Sequence, residues 1–306
     1  MITAIFNKSN PINLVISSLI LIFGFLLVQL MVFETFNWST FSYNTLLLLL
    51  AISSMLLTDF IVKKNKLSDQ NSFVIFFFSL FFFYFWSSTN NVNLLFANFF
   101  ILLALRKIIS LRSQNLIPKK IFDASLWLSV AALFHFWSVL FFLVLYLGIA
   151  IYAASYVKNW LIPLVGVFLV FIMMSAYSLV VYNHFFYFKD ILISTDYAEL
   201  NLGFNWFLIG FFTLVTLVSV VFLPSRTRML LQKNKLSYFI LFLTLIIAIL
   251  LFVISPSKNQ ETLVFLYFPL AVIFTTFFEK IKKASIQTII IYLMLFVSIL
   301  FCVVSA

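Results

Sequence analysis

The chain alternates between long runs free of charge and short polar intervals, and most runs have the length of a membrane crossing. A hydrocarbon core about 30 Å thick is spanned by about 20 apolar residues of helix. On that measure the crossings are Pro11–Phe33, Tyr43–Val62, Ser72–Ser87, Val92–Leu105, Trp160–Tyr182, Phe204–Leu223, Leu236–Ile254, Thr262–Phe278 and Ile286–Ala306. One more charge-free stretch, Ala124–Val157, is too long for a single helix at about 1.5 Å per residue. It is split near His135–Ser138 into a hairpin of two helices. Lipid leaves room only for helices or closed barrels, and unbroken apolar runs without period-two alternation select helices. The pattern therefore predicts an all-α, polytopic transmembrane bundle of about eleven helices, forming a single integral-membrane domain over residues 1–306 with no soluble domain. Lys8 precedes the first crossing and no small-residue cleavage site follows it, so that crossing reads as a retained helix rather than a signal peptide.

Composition removes the water-soluble alternatives. Of 306 residues, 64% are apolar and 9% charged, against roughly 25% charged in soluble domains. The formal charge of +10 raises the question of nucleic acid. The basic residues, however, sit in short clusters between apolar runs rather than on one face, which is the positive-inside pattern. With the N-terminus in the cytoplasm, the inner loops hold Lys8; Lys63, Lys64 and Lys66; Arg106, Lys107, Arg112, Lys119 and Lys120; Lys158; Arg226, Arg228, Lys233 and Lys235; and Lys280, Lys282 and Lys283. That leaves only Lys189 and Lys258 outside, and the C-terminus falls outside as well. No nucleic-acid partner is expected; the lipid bilayer is.

Candidate chemistry is sparse. No phosphate-binding glycine loop, metal-binding helix pair or nucleophile elbow occurs. With Cys302 as the single cysteine and His135 and His184 as the only histidines, no resident metal or other cofactor is expected. The five glycines are scattered singly and do not give the matched broken helices of an inverted-repeat transporter. The polar residues gather on the outer side. Glu34, at the end of the first crossing, fits a general base or a ligand for a divalent cation, or simply an interface marker beside Trp38. The stretch 183–203 sets His184, Lys189 and Asp190 among aromatics, as a segment lying in the interface that roofs a lipid site or merely anchors. Lys258 suits a phosphate contact, and Glu261 pairs with it at i,i+3. His135 belongs near the outer tip of the hairpin, as a head-group contact, a proton relay or a backbone-satisfied turn residue. Asn98 falls mid-span and is expected to hydrogen-bond to a neighbouring helix. Asp59 precedes Lys63 by one turn, and Asp123 is expected to open a helix. Arg106, Lys107, Arg112, Lys119 and Lys120 form a basic inner loop that either contacts anionic lipid or a partner, or reflects topology alone. The forty-three phenylalanines read as lipid-facing filler.

The opening IFNKSNPINL, the stretches NLLFANFFILLALRKIISLRSQ and KKIFDASLWLSVAALFHFWSVLFF, and NWLIPLVG resemble a family of bacterial multi-spanning inner-membrane proteins labelled only as a domain of unknown function. Less closely, the chain resembles polytopic glycosyltransferases and glycan polymerases that use polyprenyl-phosphate-linked sugars. That likeness rests on Glu34 after the first crossing, ALFHFWSVLFFL, the long outer segment after the seventh crossing, and KNQETLVFLYFPL. The first outer loop, Glu34 to Ser42, is shorter than is usual there. This resemblance implies a base or metal ligand at Glu34, a phosphate contact at Lys258, and a polyprenyl-linked sugar as substrate.

Three readings remain open: an enzyme acting on lipid-linked glycan at the periplasmic face of a bacterial inner membrane, a non-catalytic subunit of an envelope complex for secretion, motility or glycan export, and a transporter or lipid flippase.

Overall fold

The computed structural model of the chain describes residues 2–32, 38–84, 91–186, 210, 213, 217, 232–255, 260–281 and 283–305. Among these, all regular structure is helical. The α-helices are α1 Ile2–Phe6, α2 Pro11–Val32, α3 Trp38–Asn65, α4 Phe73–Tyr84, α5 Val92–Ser110, α6 Ile117–Phe134, α7 Phe141–Tyr152, α8 Val157–Tyr182, α9 Gln232–Ile254, α10 Val264–Phe278 and α11 Ala284–Ser305. Short 3-10 turns lie at Leu111–Ser113, Phe136–Leu140 and Gln260–Leu263. Among the described residues four stretches, Phe41–Asn65, Val92–Ser113, Val157–Tyr182 and Lys235–Ile254, are long and apolar enough to cross a membrane, and shorter apolar helices accompany them. Apart from Gly210, Thr213 and Leu217, the expected crossing Phe204–Leu223 lies outside the described residues.

Several boundaries differ from the sequence expectation for one reason: backbone hydrogen bonding continues beneath charged side chains whose stems reach out from the helix. α3 runs on through Lys63 and Lys64, and α5 through Arg106 and Lys107. α6 starts at Ile117 rather than Ala124, with Pro118 in its first turn, where the missing N–H costs nothing. Asp123 therefore sits inside α6 instead of opening it. The hairpin break falls at the expected place. His135 is extended at φ −145° and ψ 107°, ends α6, and leads through the 3-10 turn into α7.

The chain divides into two compact units. The first comprises Met1–Leu95, Ala198–Asn234 and Asn259–Ala306, the second Phe96–Tyr197 and Lys235–Lys258.

In the first unit α4 is the centre, packed on α2, α3, α10 and α11. Every residue from Phe73 to Phe82 is buried, as in a helix apolar on all sides and enclosed by others. Phe77 lies edge-on to Phe274 (centroids 4.5 Å apart) and Phe278 (5.3 Å), and Tyr267 of α10 meets Phe82 at 4.9 Å. These phenylalanines form the core, which corrects the expectation that they face lipid. α2 contributes a row spaced by four, Asn13, Ser17, Leu21 and Phe25, all buried. Phe6 of α1 meets Phe76 at 4.9 Å. At one end Glu279 ties two segments together. Its Oε1 accepts the Asp69 backbone N–H (3.0 Å) and the Asn71 side-chain amide (2.7 Å). The Asn71 Oδ1 in turn accepts the backbone N–H of Phe73 at the start of α4 (3.3 Å).

In the second unit α6 and α8 make the closest helix pair. α8 buries Asn159, Pro163, Gly166 and Val170, a stripe narrow enough to let α6 approach its backbone. A Cβ on Gly166 would collide with the Ser125 hydroxyl and come within 2.9 Å of the Ser125 Cβ. α5 runs antiparallel to α6: Phe96 stacks on Phe134 (5.0 Å), Phe100 on Trp127 (5.6 Å), and Lys107 Nζ meets Asp123 Oδ2 at 2.6 Å.

Candidate lipid-facing groove of the second unit

Between α6, α7 and α8 lies a groove of about 290 Å³. Leu133, Val139, Phe142, Leu164, Val167 and Phe171 supply most of its wall. Two polar side chains, Ser129 and Tyr146, reach it. Ser129 Oγ donates to the Ser125 carbonyl (2.8 Å), and the Tyr146 ring stacks on Trp160 at 6.2 Å with 17° between planes. Its flanks remain open, since Val139 of the 3-10 turn, Leu143 of α7, and Leu164, Phe168 and Phe171 of α8 are all exposed. An exposed helix face made of such residues belongs in hydrocarbon.

The register of the pair fixes the two ends of this groove. α6 and α8 run in the same direction, because Ser125 sits opposite Gly166 while Ser129 and Leu133 share the groove with Val167 and Phe171. Both helices begin near the basic turn Arg106–Lys120, and both end away from it. Phe134 and Ser175 lie equally far beyond the Ser125–Gly166 contact, so Ser175 is level with the His135 break. Leu164, Val167, Phe171, Ser175 and Ser178 follow one another by three and four residues, the spacing of a single helix face. The groove lining ends at Phe171, and the same helix face carries two serines beyond it. Ser175 Oγ is buried with no hydrogen-bond partner among the described residues, and Ser178 is 4% exposed.

The chain then folds back over this end. Asn183 closes α8 in the left-handed region at φ 58°, a conformation asparagine tolerates. His184 stacks on Tyr182 (5.8 Å, 17°), and Phe186 lies edge-on to Phe171 (6.5 Å). His184 Nδ1 is 3.0 Å from the Phe185 carbonyl oxygen and 3.3 Å from Ser178 Oγ. A carbonyl only accepts, so Nδ1 carries the proton. His135 stands at the same end, half-buried. Its N–H donates to the Ala131 carbonyl (3.0 Å), and its carbonyl accepts from the Ser138 N–H (3.0 Å).

The basic turn at the opposite end is a built structure. Gln114 and Leu116 both adopt left-handed φ, near 57° and 51°, and Gln114 Nε2 donates to the Tyr152 carbonyl (2.8 Å). Lys120 Nζ donates to the Ser110 carbonyl (2.7 Å) and Ser113 Oγ (2.6 Å), and Lys107 is held by Asp123. Lys119 is exposed, while Arg106 and Arg112 are half-buried.

Of the other candidates, Glu34, Lys189, Asp190 and Lys258 lie outside the described residues, as does the side chain of Glu261, whose backbone is part of the turn before α10. Asp59 pairs with Lys63 at 2.8 Å, one turn apart on α3. Asn98 is buried, 2% exposed, but its Nδ2 has no hydrogen-bond partner among the described residues, where a bond to a neighbouring helix was expected. Among the described residues no three His, Cys, Asp or Glu side chains converge. Sequence reasoning passed over Ser175, Ser178 and the groove itself. The available signal was the spacing of Gly166, Ser175 and Ser178, small residues in an otherwise bulky apolar run.

No curated protein matches the chain. No solved structure matches it. A family of unknown function, DUF6427, matches residues 8–306, and the chain belongs to that family.

Proposed function

We propose that the chain is a multi-pass inner-membrane protein of a bacterium, with about eleven crossings, N-terminus in and C-terminus out, that acts on lipid-linked glycan at the outer face in the manner of a glycosyltransferase or polymerase. The observation that carries this reading is the apolar groove of α6, α7 and α8, beyond which Ser175 and Ser178 follow on the same α8 face, with His184 past the helix end, away from the basic turn. With the lysines and arginines held inside, that polar end lies at the outer surface. A lipid tail in the groove would leave its head there. Glu34 would then serve as base or divalent-cation ligand, and Lys258 as a contact to the donor phosphate. Replacement of Glu34 by Gln and of Lys258 by Ala, with insertion of both proteins verified, should deplete surface glycans. Unaltered glycans in both strains would refute the enzymatic reading. Reporters fused near Asp196 should be accessible from outside; cytosolic reporters there would invert the whole assignment.

A second reading, a subunit of an envelope complex, is favoured by α8. It shows Leu161, Val165, Phe168, Ile172 and Val180 along most of its length, a surface that a partner helix would cover. Purification in mild detergent should then return stoichiometric partners, and a clean monomer would count against it.

A further inference from the structure

We infer that the end of the second unit at the basic turn, where α6 and α8 begin side by side, binds the phosphodiester head group of an anionic phospholipid, with Lys119 and Lys158 on the phosphate. This site lies at the opposite end of the unit from Ser175 and His184, and it stands whether or not the chain acts on glycan.

Register brings the two helix starts together. α6 begins eight residues before Ser125 and α8 nine before Gly166, so their first turns are level to within one residue of the Ser125–Gly166 contact. Because the helices run in the same direction, the positive ends of both dipoles fall at one place. Neither N-cap residue, Leu116 or Tyr156, makes a side-chain cap, and neither first turn holds an acidic residue. Each turn carries an exposed lysine instead, Lys119 on α6 and Lys158 on α8. Among the described residues no carboxylate pairs with either. An ammonium at a helix start opposes the dipole, and two such turns side by side add up to a charge that an anion from outside relieves.

Topology alone does not account for this concentration of charge. Among residues with described side chains, the second unit holds seven Lys and Arg against one carboxylate, Asp123, whereas the first holds six against three. The Gln114 bond to the Tyr152 carbonyl and the 3.4 Å approach of the Tyr152 hydroxyl to Ser237 Oγ bring the start of α9, with exposed Lys235, to the same patch. The rim assigns the anion to a lipid. Leu116 is 72% exposed, Tyr156 63% and Val157 77%. Leu116 also holds φ 51°, where a branched side chain is strained. A soluble phosphate would leave these three in water; acyl chains beside the bound head group cover them. Lys158 Nζ stands over the Tyr156 ring at 5.3 Å, which joins the cation to an aromatic of the kind that marks the membrane interface.

The test uses the purified full-length chain, delipidated in detergent and offered dioleoylphosphatidylglycerol or dioleoylphosphatidylcholine, with retention read by native mass spectrometry. Phosphatidylglycerol should be retained in preference to the zwitterionic lipid. The K119Q/K158Q double variant should bind it about thirtyfold more weakly. K66Q/K283Q, which removes the same charge from exposed positions of the first unit, should bind it as the wild type does. Leu116→Asn suits the left-handed backbone, keeps both lysines and removes the apolar contact, so it should weaken retention about threefold. Thermal melting confirms that each variant is folded. Equal losses in the two double variants would reduce the effect to net charge and overturn the site, as would equal retention of phosphatidylcholine. Displacement of the lipid by excess inorganic phosphate, or full retention by Leu116→Asn, would give the lysines to a soluble anion. An acidic protein that copurifies with the wild type and is lost from K119Q/K158Q, with lipid retention unchanged, would give the face to a partner chain and refute the lipid assignment.

Discussion

The two compact units are made from the same kinds of residue and use them in opposite ways. In the first, α4 and α10 are enclosed by other helices, and Phe73, Phe77, Phe274 and Phe278 fill the space between them with ring contacts. In the second, α8 buries one narrow stripe and shows bulky apolar side chains almost everywhere else. In lipid the tails are as apolar as the side chains, so helix pairing draws on packing rather than on escape from solvent. Bulk on both partners gives the first unit its core. The second gains close approach from small residues, and the mismatch between small and large side chains leaves the groove.

The sharpest way to break this contrast is Gly166→Leu. The new side chain would drive into Ser125 and the adjacent Leu126 backbone of α6, at about 3 kcal/mol for an overpacked contact. Hydrogen exchange should rise in α6 and α8 and stay unchanged in α4 and α10. Equal loosening of all four would mean that the units are not independent.

Phe77→Ala is the reciprocal change and a smaller one. It removes the ring that meets Phe274 and Phe278. The water-to-oil transfer term of a soluble core is missing here, which leaves chiefly lost contacts and a cavity, about 2 kcal/mol. Thermal melting in detergent gives the size of the loss, and exchange should place it in α4 and α10.

The contrast between these two sites also explains what could be read in advance. Helices and the His135 break were legible because both depend on length: Ala124–Val157 cannot be one crossing, and the chain must turn somewhere within it. The start of α6 was not, because an expected span begins where charge ends, while Lys119, Lys120 and Asp123 ride on the helix, Lys120 bonded to Ser110 and Ser113 and Asp123 paired with Lys107. The role of Phe73–Phe82 was equally hidden. A run apolar on every side reads the same whether its neighbours are helices or lipid. For the same reason the groove face of α8 could not be told from its lipid face, and only Gly166, Ser175 and Ser178 interrupt the uniformity.

Glu279→Gln probes how the first unit is held at its polar edge. Glutamine keeps an oxygen for the Asp69 N–H and the Asn71 amide but loses the charge that strengthens both bonds, a difference of about 1 kcal/mol. The loss should appear as faster exchange at Asp69 and at the start of α4, where Asn71 caps Phe73. Undisturbed exchange there would assign the fixing of this loop to Phe6 and the Ser72 N–H bond to the Phe6 carbonyl alone.

The smallest effects compare one ion pair from each unit. Lys63 and Asp59 lie one turn apart on α3, with the lysine side chain 40% exposed, and such pairs contribute about 0.3–0.5 kcal/mol. Lys107 and Asp123 join two different helices, both side chains about a quarter exposed, at 2.6 Å. This pair has less entropy to lose, since α5 and α6 are already held by Phe96, Phe100, Trp127 and Phe134, and its partial burial limits screening by salt. Lys107→Met should therefore cost about 1 kcal/mol, more than Lys63→Met, and should change little between low and high salt, whereas the Lys63 effect should fade as salt is added. If both respond alike to salt, the second unit's pair is as wet as the first's, and the basic turn is held by Lys120 and Gln114 rather than by Lys107.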